Sequence, residues 1–131
     1  MESVHFRLNR LAKEKKEKLV FKRRGIEGNF ISFTGRDGDF WVSIVPSLNV
    51  SGYGKTEEEA MEDLKYNLRV FFEDLLNLNP EQRIAELQRM GWQTDMLINT
   101  GFYIFANDRE AEILKTFEKS DTVKKSILEA V

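Results

Sequence analysis

Residues 30–64 read FISFTGRDGDFWVSIVPSLNVSGYGKTEEEAMEDL, and the change of period inside this stretch decides the fold. Up to Tyr53 the apolar residues follow a strand's alternation; from Ala60 they recur at helical spacing. Phe30-Ile31-Ser32-Phe33-Thr34 predicts a first strand. Asp37-Gly38 between two apolar runs predicts a tight hairpin, whose central residues need positive φ. Residues 39–45 predict a second strand, with Phe40, Val42 and Ile44 on one face and Trp41, Ser43 and Val45 on the other. Ser32 and Ser43 are expected as outward alternates. Pro46 has no N–H to give a ladder and stops that strand. Residues 48–53 predict a third strand, antiparallel to the second.

Thr56-Glu57-Glu58-Glu59 is a capping box: the hydroxyl caps the amide of Glu59, whose carboxylate reaches back to the Thr56 amide. Three carboxylates in the first turn suit the helix dipole. Ala60, Leu64, Leu68, Phe71 and Leu75 form the apolar stripe of a helix that ends near Leu78. Asn79-Pro80-Glu81-Gln82 opens a second helix, with Asn as cap and Pro at the first position. Ile84, Leu87 and Met90 are its apolar face, Gly91 its C′ glycine, and Trp92 packs back onto the body. Residues 101–106 predict a further strand. Asn107-Asp108-Arg109-Glu110 predicts another helix start, with Ala111, Ile113, Leu114 and Phe117 inward. Ser120 caps a last short helix carrying Val123, Ile127 and Leu128. Toward the N-terminus, residues 8–19 predict a short helix with Leu8, Leu11 and Ala12 on one face; residues 19–23 can also begin a strand.

The chain has 131 residues, 41% hydrophobic and 32% charged, which suits one soluble globular domain. It has no cysteine and one histidine, His5, so disulfides, thiolate sites and histidine-pair chemistry are excluded by counting. No apolar run is long enough to cross a bilayer, and the cytoplasm is the expected compartment. Charge is unevenly spread. Residues 1–24 carry nine Lys/Arg against three Glu, and the rest of the chain is acidic. Lys13, Lys15, Lys16, Arg23 and Arg24 are therefore candidate nucleic-acid contacts on a basic arm. Glu14 and Glu17 interleave the lysines as on a solvated face, and no aromatic is interleaved for base stacking.

Other candidate chemistry is thin. Gly52-Tyr53-Gly54-Lys55-Thr56 ends like a phosphate loop, but Asn49 stands where the pattern needs its first glycine, and the acidic turn that follows repels phosphate. The acidic residues Asp37, Asp39, Asp108, Glu110 and Glu112 sit where turns and helix starts want them. No catalytic residue, metal ligand or cofactor is expected. One sheet face goes to the helix from Thr56; the other needs C-terminal helices or a partner chain as cover. Trp41, Val45 and Tyr53 are the candidate partner-binding residues, and self-association through this face or a sheet edge is the second possibility.

The run Gly54-x-Thr56-x-x-Glu59-Ala60 after a strand, with the turn ending Asp37-Gly38, the aromatic strand Phe40-Trp41-Val42-Ser43-Ile44 and Pro46 soon after, resembles the HicB-like antitoxin domain over roughly residues 28–78. The resemblance implies a partial ribonuclease H-like fold, a protein partner of the small HicA-type ribonuclease toxin class, and operator binding through a C-terminal ribbon-helix-helix or helix-turn-helix. Phe102-Tyr103-Ile104-Phe105 lacks the polar and basic residues of a DNA-reading ribbon and reads as sheet core. The sequence expectation is thus α+β: a three- to four-stranded antiparallel sheet with one main helix on one face. It divides into a basic N-terminal arm (1–27), a β-β-β-α core (28–78) and a helix-strand-helix-helix extension packed on it (79–131). The expected role is non-catalytic protein binding; the alternative is a nucleic-acid-binding regulator using the arm or a divergent C-terminal ribbon-helix-helix.

Overall fold

The computed structural model describes residues 4–9, 16–23, 25–98, 100–105 and 110–130. They form β1 (Phe6–Asn9), β2 (Lys16–Lys22), β3 (Gly25–Asp37), β4 (Phe40–Val45), β5 (Val50–Gly54), α1 (Glu57–Asn77), α2 (Pro80–Arg89), β6 (Gln93–Thr94), β7 (Gly101–Phe105), α3 (Glu110–Lys115) and β8 (Lys119–Ala130). All eight strands join one antiparallel sheet in the order β1-β8-β3-β2-β7-β6, with β4 on β3 and β5 on β4. This corrects the expected three- to four-stranded, HicB-like and partial ribonuclease H-like α+β fold. The β3-β4-β5-α1 run keeps the predicted order, but it is one corner of a much larger sheet.

Two segments account for the difference. Residues 16–22 are a strand inside the sheet: the helix expected over 8–19 gives way to strands at both of its described ends, and the strand expected to begin within 19–23 is present and starts three residues earlier. Glu17, Leu19 and Phe21 alternate inward there between more exposed neighbours, so the Lys/Glu alternation is a period of two. Residues 119–130, expected as a short helix, are a strand held between β1 and β3. Ser126, Ile127 and Leu128 are all buried, because both faces of this strand are covered and the alternation that marks a half-exposed strand disappears. The C-terminal order is therefore strand, helix, strand, which leaves a ribbon-helix-helix without its second helix. The capping box expected at Asn107 lies outside the described residues.

β3 is the spine. Along one edge it pairs with β8 from Gly28 to Arg36, with a register shift between Thr34 and Arg36. Along the other it pairs first with β2 (Gly25 to Asn29) and then with β4 (Phe33 to Asp37). The β3–β4 turn centres on Gly38-Asp39, since Asp37 faces Phe40. Only Gly38 has positive φ there (67°), which is the glycine-first pattern of a II′ turn and not the two positive φ values expected.

α1 crosses one face of the sheet and buries Ala60, Met61, Leu64, Leu68, Phe72 and Leu75. Beneath it lie Leu19, Phe30, Val45, Leu48, Phe102 and Leu128, with Trp92 closing one end. The helix comes close enough that a Cβ at Gly52 would overlap the Leu64 backbone nitrogen. Thr56 Oγ1 accepts from Glu59 N at 3.1 Å, as predicted; the Glu59 carboxylate turns to Lys55 N (2.7 Å), one residue earlier than the box requires. The last turn of α1 has no basic residue of its own. Arg83 of α2 supplies one, donating to the carbonyls of Leu75, Leu76 and Leu78 and lying over the Phe21 ring. The Asn79 and Gln82 box is complete. On the opposite face, α3 and the turn after it place Ile113 and Phe117 over Ile31, Phe33, Val42, Ile44 and Val123. Part of the second face is thus covered by the chain itself.

Candidate binding surface

Trp41, Val45 and Tyr53 do not form one surface. Val45 is wholly buried beneath α1. Trp41 is half-buried and faces Gly54 across the ladder, whereas Tyr53 faces Val42 and so belongs to the opposite face. Tyr53 is 65% exposed, on the same face as the exposed Phe40, which lies two residues along β4 from its partner Val42. Ser32 and Ser43, expected outward, are fully buried on the α1 side, where Ser43 Oγ and Thr34 Oγ1 meet at 2.7 Å.

The edge strand β5 is not open for strand addition. Asp63 accepts the Tyr53 N–H at 3.0 Å, and Asn67 donates to the Ser51 carbonyl at 2.8 Å. Two side chains of α1 thereby satisfy backbone groups that an edge leaves unpaired.

The buried carboxylate Glu17 sits where β2 ends and β4 begins along β3. Ile31 lies between the two ladders, and its N–H donates to Glu17 Oε1 at 2.7 Å; Ser47 Oγ donates to the same oxygen at 2.8 Å. Burial raises its pKa above the ordinary glutamate value; the Ile31 and Ser47 hydrogen bonds and the Lys125 charge pull the other way. The Ser47 carbonyl in turn accepts from Trp92 Nε1 at 2.9 Å. Glu17 thus serves as the mortar of a three-way joint, with both contacts spent on structure. No group of three His, Cys, Asp or Glu among the described residues is placed to share a metal ion, and no described helix is long and apolar enough to cross a membrane.

Among the described residues, the longest run of consecutive exposed large apolar residues is at the β6–β7 end. Between these strands, Met96, Leu97 and Ile98 are 98%, 96% and 45% exposed. The turn is tied internally: Asp95 N donates to the Gly101 carbonyl, Gly101 N to the Ile98 carbonyl, and Leu97 N to Asp95 Oδ1. Beside it an open cleft of about 790 Å³ is lined by Lys16, Gln88, Gln93, Thr94, Tyr103 and Phe105, among others. Tyr103 and Phe105 are alternate residues of β7 and lie on the face away from α1, directly across from Lys18 and Lys16. Their rings meet edge to face at 5.7 Å, and Lys16 Nζ stands 4.9 Å and 5.8 Å from their centroids. Of the predicted nucleic-acid contacts, Lys16 is therefore part of this surface and Arg23 is exposed in the turn after β2. Lys13, Lys15 and Arg24 lie outside the described residues.

Sequence reading missed this cluster because it took all of residues 102–105 as core. The available signal was parity: on a half-buried strand, Phe102 and Ile104 point inward and Tyr103 and Phe105 outward. The chain matches no family model, no curated protein and no solved structure.

Proposed function

We propose that this chain is a non-catalytic protein-binding module whose docking element is the β6–β7 tip. The observation that carries this reading is the run Met96-Leu97-Ile98, three consecutive apolar side chains standing outside the core. Contiguous exposed apolar side chains mark contact sites more than scattered ones do, and the hydrogen bonds Asp95 N–Gly101 O, Gly101 N–Ile98 O and Leu97 N–Asp95 Oδ1 reduce the entropic cost of presenting them. The small HicA-type ribonuclease toxin class implied by the sequence resemblance is one protein partner of this kind; a second copy of the chain is the other.

Site-specific photo-crosslinking in the native host tests the reading. A benzophenone side chain placed at Leu97 should give one discrete protein adduct, whereas the same probe at Tyr66, exposed on α1, should give none. Mass spectrometry of the adduct separates a small basic ribonuclease from a homodimer. Equal labelling from both positions, or no adduct from Leu97, overturns the assignment.

A further inference from the structure

We infer that the outward face of β2 and β7 is a binding platform for single-stranded nucleic acid, with Tyr103 and Phe105 stacking on bases and Lys16 and Lys18 meeting phosphates. Two observations on independent chemistry point the same way. The first is aromatic. Tyr103 and Phe105 lie side by side on an open sheet surface, and Phe105 is 58% exposed. The edge-to-face contact and Lys16 Nζ take up part of the ring surface, but Phe105 keeps more than half of its area open, and unpaired bases stack on such a ring whatever their sequence. The second is electrostatic. On the outward side of β2, Lys22 is paired with Glu27 at 3.1 Å. Lys16 and Lys18, across from the two rings, carry no ion pair among the described residues.

The cleft beside the rings is furnished for the same ligand. Gln93 Oε1 accepts from the Tyr103 hydroxyl at 3.0 Å, which leaves the amide NH₂ of Gln93 to donate. Gln88 and Thr94 add polar groups that can meet base edges. The acid on the rim, Asp95, has an oxygen turned into its own loop, accepting from Leu97 N at 2.9 Å. A duplex does not suit this platform, because its base faces are already stacked on one another. An acidic protein segment would use the lysines but not two adjacent ring faces. The inference goes beyond protein docking by the tip, and different side chains test each.

Fluorescence anisotropy of a labelled strand of ~10 nucleotides, oligothymidine or oligouridine, against a blunt duplex of equal length provides the test. The strand should bind and the duplex should not. Phe105→Ala should weaken binding at least about fivefold, the lower end of one lost stacking contact, while Phe105→Tyr should retain it. Two phosphate contacts give a slope of about −1.4 in log K against log salt, and Lys16→Gln should reduce it to about −0.7. Ile98→Ser, at a tip residue that does not line the cleft, should leave strand binding unchanged, so that loss of tip docking and loss of strand binding are told apart. Phe105 and Lys16 lie outside the core clusters, so an unaltered circular dichroism melt accompanies each variant. Equal affinity for duplex, no binding at low salt, or full binding by Phe105→Ala would overturn the inference.

Discussion

Replacing Glu17 probes the joint that lets two strands share one edge of β3. In Glu17→Ala the Ile31 N–H and the Ser47 hydroxyl both lose their acceptor. A buried donor left unsatisfied costs about 1–3 kcal/mol. The Ile31 amide, in a buried strand, bears the full penalty. Ser47 is half-buried and can turn toward water, so its share falls at the low end. The expected loss is about 2–4 kcal/mol, a large part of the 5–15 kcal/mol that typically holds a domain together. Glu17→Gln keeps an acceptor oxygen for both donors and should cost much less. Urea unfolding followed through Trp92, which is buried beside Phe30 and bonded to Ser47, measures both. A loss below about 1 kcal/mol in Glu17→Ala would refute the assigned role.

The two variants also differ in pH dependence, and the sign follows from burial. Because the folded pKa of Glu17 is raised above the ordinary glutamate value of 4.5, the folded state holds this proton more tightly than the unfolded chain does. Stability from this group is complete below that ordinary value and is lost as pH rises through the folded pKa. Glutamine has no proton to lose. Glu17→Gln should therefore gain on the parent protein as pH rises from about 4.5 upward. A stability difference that stays constant across that range would show that the carboxylate is not desolvated as its burial indicates.

Other outcomes follow from the close approach of α1 to the sheet. Gly52→Ala sets a methyl group against the Leu64 and Asp63 backbone, where no flexible side chain can yield, and should lower the urea midpoint by an amount equal to about 1–3 kcal/mol. Thr56→Ala removes the acceptor for Glu59 N and should cost about 1 kcal/mol in the same assay. Asp63→Ala combined with Asn67→Ala uncovers the Tyr53 N–H and the Ser51 carbonyl on the edge strand. Light scattering after size exclusion should then show concentration-dependent association that the parent chain does not.

What could be read from sequence was what neighbouring residues decide. Thr56 and Asn79 cap their helices because a short polar side chain next to an apolar-periodic run reaches its own backbone. Gly91 takes positive φ, 104°, at the helix end where a C′ glycine was expected, whereas Asn49, read as part of a strand, takes φ 54° in the turn before β5. The start of β2 and the whole of β8 were illegible for a different reason: their pairing partners lie far off in the chain. Val123, Ile127 and Leu128 fit a helix face as well as a strand covered on both sides, and only the fact that β8 lies between β1 and β3 separates the two. The same limit hid the surface. In sequence the aromatic that falls among the basic residues, Phe21 between Lys18 and Lys22, belongs to the core and offers no base a ring to stack on. In the sheet, Lys16 faces Phe105 and Lys18 faces Tyr103, so the interleaving exists across strands instead of along one. A basic stretch that alternates its charges at a period of two therefore needs to be matched against every outward aromatic pair of the same period elsewhere in the chain, because the ladder composes such a surface from two segments that are each unremarkable alone.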